Sequence, residues 1–124
     1  MIKFALDFLK NKRTKMNITK ENIDALNAVV KIEIVAEIAQ GYEGNAVKSS
    51  LLLKSAAKSG ACEAKFQMIY ANEISTEDYK YHGLFRSLEM SDAIWMDLHQ
   101  QSNELDIELQ LDIFGMLSLT KSVE

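Results

Sequence analysis

Two histidines and one cysteine are the side chains of this chain best suited to metal binding or nucleophilic attack, and their settings favour neither. His82 and His99 lie outside the His-Glu-x-x-His pattern and outside any Cys-His zinc spacing. Asp78 stands four before His82, and Asp97 lies beside His99; either pair could take a metal, but both read as ordinary surface residues. Cys62 as a nucleophile needs a base and an electropositive setting. It alternates instead with Ala64, Phe66, Met68 and Tyr70 on one parity, which predicts an inert buried thiol. There is no Gly-x-Ser-x-Gly, and "GYEGN" at 41–45 matches no phosphate-cradling fingerprint. The carboxylates show no spacing that singles out an acid and a base. The sequence therefore predicts no catalytic residue, no metal and no cofactor, and a non-enzymatic protein.

The most regular acidic feature is "NELDIELQLDIFG" at 103–115. Leu105, Ile107, Leu109, Leu111 and Ile113 alternate with Glu104, Asp106, Glu108, Gln110 and Asp112. As a helix those aliphatics would scatter around the circumference; as a strand they line one face. The aliphatic side is then core. The acidic side, Glu104, Asp106, Glu108 and Asp112, must lie in water or dock a basic partner.

The elements around these residues follow from period and punctuation. Ile2, Ala5, Leu6 and Leu9 predict an amphipathic helix within 1–16, followed by the basic run "KNKRTK". Residues 27–72 read as strands. Val30, Ile32, Ile34, Ala36 and Ile38 share one parity, and a second strand runs through Phe66 and Met68. Residues 46–58 admit two readings: Asn45 and Gly60 would frame a helix, whereas a Ser59-Gly60 turn would join two strands in a hairpin, the reading favoured here. Residues 75–101 are helical, with Ser75 and Ser91 as caps, and 104–119 form a last strand.

A chain of 124 residues suits one domain spanning 1–124. Net charge is -4, split into +5 over residues 1–20 and -9 over the rest. An acidic body disfavours nucleic acid and suits a protein or polypeptide partner. A single cysteine excludes an internal disulfide and favours a reducing compartment. No long apolar run predicts a membrane span, and the charges of "MIKFALDFLKNKRTK" follow its apolar part, unlike a secretory signal, so a cytoplasmic protein is expected.

The order of a long strand at 29–39, a hairpin in "SSLLLKSAAKSGACEAKFQMIY", the helix "AIWMDLHQQ" and a late "GMLSL" resembles the SecB export-chaperone family, although this chain has no proline. The resemblance implies a cytoplasmic homo-oligomer that holds unfolded or extended polypeptide, with Phe66, Met68 and Trp95 as apolar contacts. The expected fold is α+β, an antiparallel sheet of about four strands with helices packed on one face. Two alternatives stay open: an acidic inhibitor or immunity-type protein binding a basic partner through the carboxylate row, and a small-molecule-binding enzyme.

Overall fold

The computed structural model describes residues 19–29 and 32–123. The chain divides into two units, Met1–Ile32 and Glu33–Glu124. The helix expected within 1–16 lies outside the described residues. In the first unit, helix α1 spans Lys20–Val29. Thr19 starts it: the Thr19 carbonyl accepts from the N–H groups of Asn22 and Ile23, and its hydroxyl accepts from Asn22 at 3.3 Å. Residues 27–29, expected as strand, are thus the last turn of a helix.

The second unit alternates strand and helix. Strand β1 is Val35–Ala39, helix α2 Ala46–Lys58 and strand β2 Glu63–Gln67. Short helices α3 (Ala71–Ile74) and α4 (His82–Ser87) precede α5 (Asp92–Glu104), β3 (Glu108–Asp112) and α6 (Met116–Val123). The strands form one sheet in the order β1-β2-β3, and both pairings are parallel. The expected antiparallel sheet of about four strands is therefore replaced by three parallel strands in an α/β arrangement. The cause lies in residues 46–58. Parallel neighbours need a crossover, and this segment supplies one as a helix instead of half a hairpin.

Local chemistry makes that segment helical. The Asn45 side chain accepts from the N–H of Lys48 at 2.9 Å, capping the first turn, and Ser49, Leu53 and Ala56 fall on the buried side. At the other end Gly60 takes φ +86°, its N–H donates to the carbonyl of Ala57, and Ala61 N–H donates to that of Ala56. That is a Schellman stop. The Ser-Gly pair that would have turned a hairpin closes a helix. Helix α5 ends the same way with an aspartate in the glycine position: Asp106 has φ +53°, Asp106 N–H donates to Asn103 and Ile107 N–H to Ser102.

Side-chain parity then divides the sheet. Ala64 and Phe66 of β2 are fully buried, and Ala36, Ile38, Leu109 and Leu111 pack on the same cluster. Helices α2 and α5 cover this face with Leu53, Ala56, Trp95 and Leu98, and pack on each other. Tyr42, Phe66 and Trp95 form an aromatic triad with centroids 5.7–6.3 Å apart. Sequential parallel strands with both crossover helices on one side is the winding of a β/α barrel wall, not of a doubly wound sheet, whose helices lie on both faces. No described helix is long and apolar enough to cross a membrane.

Candidate functional site

The opposite face of the sheet carries the other parity: Val35 and Glu37, then Glu63, Lys65 and Gln67, then Glu108, Gln110 and Asp112. Parallel register sets Glu37 and Gln110 level with Lys65, and Asp112 level with Gln67. Lys65 Nζ lies 2.6 Å from Glu37 Oε2 and 3.5 Å from Asp112 Oδ2, and it bridges both outer strands from the central one. The other Glu37 oxygen accepts from Ala39 N–H at 3.1 Å, beside the β1 irregularity where Ala39, not Ile38, pairs with Phe66. Gln110 donates to the Glu63 carboxylate. The bond to Glu37, with help from Asp112 and against some desolvation, raises the Lys65 pKa above its ordinary value. Lys65 is thus a fixed cation and donor, unsuited to act as a base at neutral pH.

The loops that leave the C-terminal ends of the strands interlock at one end of the sheet. Gly44, in the turn after β1, has φ +67°, and a Cβ there would fall 2.1 Å from the Ser87 carbonyl oxygen, so only glycine fits. Ala71 N–H donates to Glu89 Oε1 at 2.8 Å. The Glu73 carboxylate accepts from the N–H groups of Leu117 (2.6 Å) and Ser118 (3.2 Å), which ties the loop after β2 to the first turn of α6. Tyr42 is buried in this layer with its hydroxyl donating to the Gln67 carbonyl at 2.7 Å, and burial pushes its pKa to about 12.

Sequence-selected residues are dispersed by this geometry. Phe66, Met68 and Trp95 lie in the core, each at most 6% exposed. The acidic row does not assemble as one strand face: Glu104 ends α5, Asp106 sits in the helix stop, and only Glu108 and Asp112 belong to β3. Cys62 is exposed, not buried, because β2 begins one residue later. His99 is exposed beside Asn103, whereas His82 is buried between Ser75 Oγ (3.0 Å) and Arg86 Nη2 (3.4 Å). Arginine only donates, so His82 Nε2 accepts and Nδ1 carries the proton toward Ser75. Among the described residues no group of three or more His, Cys, Asp or Glu is placed to hold a metal ion. The residues sequence reasoning passed over are Glu37, Lys65 and Gln110. Their signal was present as polar parity in "VAEIA" and "EAKFQ", but only parallel pairing brings those parities onto one face.

No family model matches the sequence, and no curated protein matches it. Two solved structures share the fold. The N-acetylneuraminic acid (sialic acid) synthetase of Leptospira borgpetersenii serovar Hardjo-bovis, solved with citrate, superposes with a TM-score of 0.67 at 21% identity, over 73% of this chain and 32% of that one. The spore coat polysaccharide biosynthesis protein of Bacillus subtilis gives 0.57 at 25% identity, over 74% of this chain and 27% of that one. This chain thus spans about a third of the length of the first neighbour and less of the second. Neither neighbour is an export chaperone. The SecB resemblance, and with it the reading as a non-enzymatic holder of polypeptide, is overturned: the fold is shared with part of a sialic acid synthetase and part of a spore coat polysaccharide biosynthesis protein.

Proposed function

We propose that the Glu33–Glu124 unit is an enzyme-type β/α wall that binds a small polyhydroxylated molecule, a sugar or sugar derivative, on its polar sheet face. The observation that carries this reading is Lys65, held by Glu37 and Asp112 on a face that neither α2 nor α5 covers. Stability alone would favour an apolar interior there, since parallel sheets ordinarily bury both faces. The charge balance selects the ligand. Glu37, Glu63, Glu108 and Asp112 outnumber Lys65, so hydroxyl groups, which donate to carboxylates, suit the face better than a free anion. Lys65, Gln67 and Gln110 supply donors for ring and hydroxyl oxygens. The two neighbours, named for sialic acid and for a polysaccharide, support the same substrate class.

The test is a titration of 15N-labelled protein with a neutral N-acetylhexosamine, read residue by residue by NMR. Amides of Glu37, Lys65, Gln67 and Gln110 are expected to shift together, and Lys65→Met to abolish the response. Millimolar sugar that leaves those amides unmoved would refute the proposal.

A further inference from the structure

Helix α6 turns its polar side inward and its apolar side to water. Ser118 is fully buried, and Lys121 and Ser122 are half-buried. Met116 and Val123, on the opposite side, are 74% and 76% exposed. Leu117 and Leu119 are 47% and 40% exposed, as helical spacing requires of residues on the flanks of that stripe. Ile113 and Phe114, which lead into the helix, are exposed as well. A helix at the surface of a folded unit ordinarily does the reverse, with its apolar stripe on the core.

The orientation is fixed by polar tethers. The Glu73 carboxylate accepts from the N–H groups of Leu117 and Ser118, and Lys121 Nζ lies 2.6 Å from Asp92 Oδ2. Rolling the apolar stripe inward would break both. The hydroxyls of the helix are satisfied within it: Ser118 donates to the Gly115 carbonyl, Thr120 to that of Met116 and Ser122 to that of Leu119. Thr120, in the middle of the outward stripe, therefore needs no hydrogen bond from whatever covers it.

We infer that the outward face of α6 pairs with the same face of a second copy of this chain, the two helices antiparallel across a two-fold axis. Charge selects the occupant. Within residues 113–123 the sole charged side chain is Lys121, and Asp92 neutralises it. The face thus offers nothing to recruit a basic or an acidic protein, whereas two identical neutral faces meet without opposing like charges. An anionic lipid surface would call for lysines along the stripe, and it has none. The stripe is also self-complementary, as a two-fold contact requires. Antiparallel pairing about Leu119 and Thr120 sets Met116 against Val123 of the second copy at both ends. The apolar residues from Ile113 to Val123 expose on the order of 500 Å² of side chain, near the top of the range for the largest patch on a monomer. Two such patches with their polar rims reach about 1,200 Å², the lower end for a specific dimer, so the pairing is reversible and of micromolar or weaker affinity.

The experiment is sedimentation equilibrium of the full chain from micromolar to near-millimolar concentration. A monomer–dimer equilibrium is expected, with the amides of 113–123 shifting in NMR over the same range. Met116→Lys places a lysine against Val123 of the second copy at both ends and should weaken the dimer roughly tenfold or more. Met116→Lys/Val123→Glu sets each lysine against a glutamate and should recover most of that loss. The two positions are two turns apart on one helix, beyond the three- and four-residue neighbours that pair within a copy. Both are largely exposed, so circular dichroism of either variant should match the parent. A chain that stays monomeric throughout would overturn the pairing, as would a dimer that Met116→Lys leaves unchanged or a double variant no tighter than Met116→Lys. A monomer that instead co-sediments with phosphatidylcholine vesicles would give the face to lipid and overturn it too.

Discussion

The two faces of strand β2 are made by alternate residues of one pentapeptide, yet they obey different rules. On one side Ala64 and Phe66 are fully buried in a cluster with Leu53, Ala56, Trp95 and Leu98 of α2 and α5. On the other side Glu63, Lys65 and Gln67 stand half-buried among carboxylates and amides. The apolar face gains free energy from removal of surface from water. The polar face gains little, because partly exposed ion pairs contribute modestly. The difference teaches that parity in this strand separates what holds the unit together from what it presents to a ligand.

The largest expected effect lies on the apolar face. Phe66→Ala removes the hub of the aromatic triad and should cost about 3–5 kcal/mol in urea unfolding, followed through the single tryptophan, Trp95. A small loss would break the division between faces, since it would mean that Phe66 is not a core residue.

Tyr42→Phe comes next and acts through pH. The Tyr42 pKa is raised from 10.0 to about 12 in the fold, mainly by burial, so the unfolded chain releases this proton first. The contribution is therefore intact below pH 10 and lost as pH rises from 10 toward 12, by about 2–3 kcal/mol. The phenylalanine variant lacks that loss, but at neutral pH it gives up the bond to the Gln67 carbonyl, about 1 kcal/mol. Stability curves of parent and variant against pH should cross above pH 10. Parallel curves would show that the hydroxyl is not sealed in the core.

How much of this was legible in advance depended on which physical term decided each feature. The parity of 63–68 could be read, because burial acts locally on alternate side chains, but it fails at both ends, where Cys62 is exposed and Ile69 is buried. Strand direction could not, because Ser59 and Gly60 suit a hairpin turn and a Schellman stop equally. The Asn45 cap and the burial of Leu53 and Ala56 in the core cluster together decide for the helix. The period-2 run at 103–113 misled for a related reason: residues up to Glu104 belong to α5, and Asp106 breaks the register with φ +53°. The Glu37–Lys65–Asp112 bridge was not legible at all, since it joins three strands whose order no local pattern encodes. The core residues Phe66, Met68 and Trp95 were visible as apolar positions, but periodicity cannot distinguish a buried aromatic from one lining a groove.

Asp106 offers a smaller, opposite effect. A non-glycine residue in the left-handed region is strained, and glycine at the corresponding place after α2 is not. Asp106→Gly should stabilise the unit by about 0.5–1 kcal/mol in the same urea measurement. The gain concerns the helix stop alone, so sugar binding on the sheet face should be untouched; a change in binding would tie the stop to the site.

Lys65→Met is expected to move stability least and binding most. The side chain is 29% exposed, and its partners Glu37 and Asp112 remain open to water, so their solvation replaces much of what the ammonium gave them. What remains is mutual repulsion of the carboxylates on that face, and this is the part that salt screens. The variant should therefore unfold slightly earlier than the parent at low ionic strength and together with it at about 1 M salt, where the screening length is about 3 Å. Its raised pKa gives the same sign in pH: the parent's advantage from Lys65 is present below the ordinary lysine value and fades as pH climbs through the raised one. A large loss of stability that persists in high salt would erase the contrast between the faces, because it would make Lys65 part of what holds the sheet together and not of what the sheet presents.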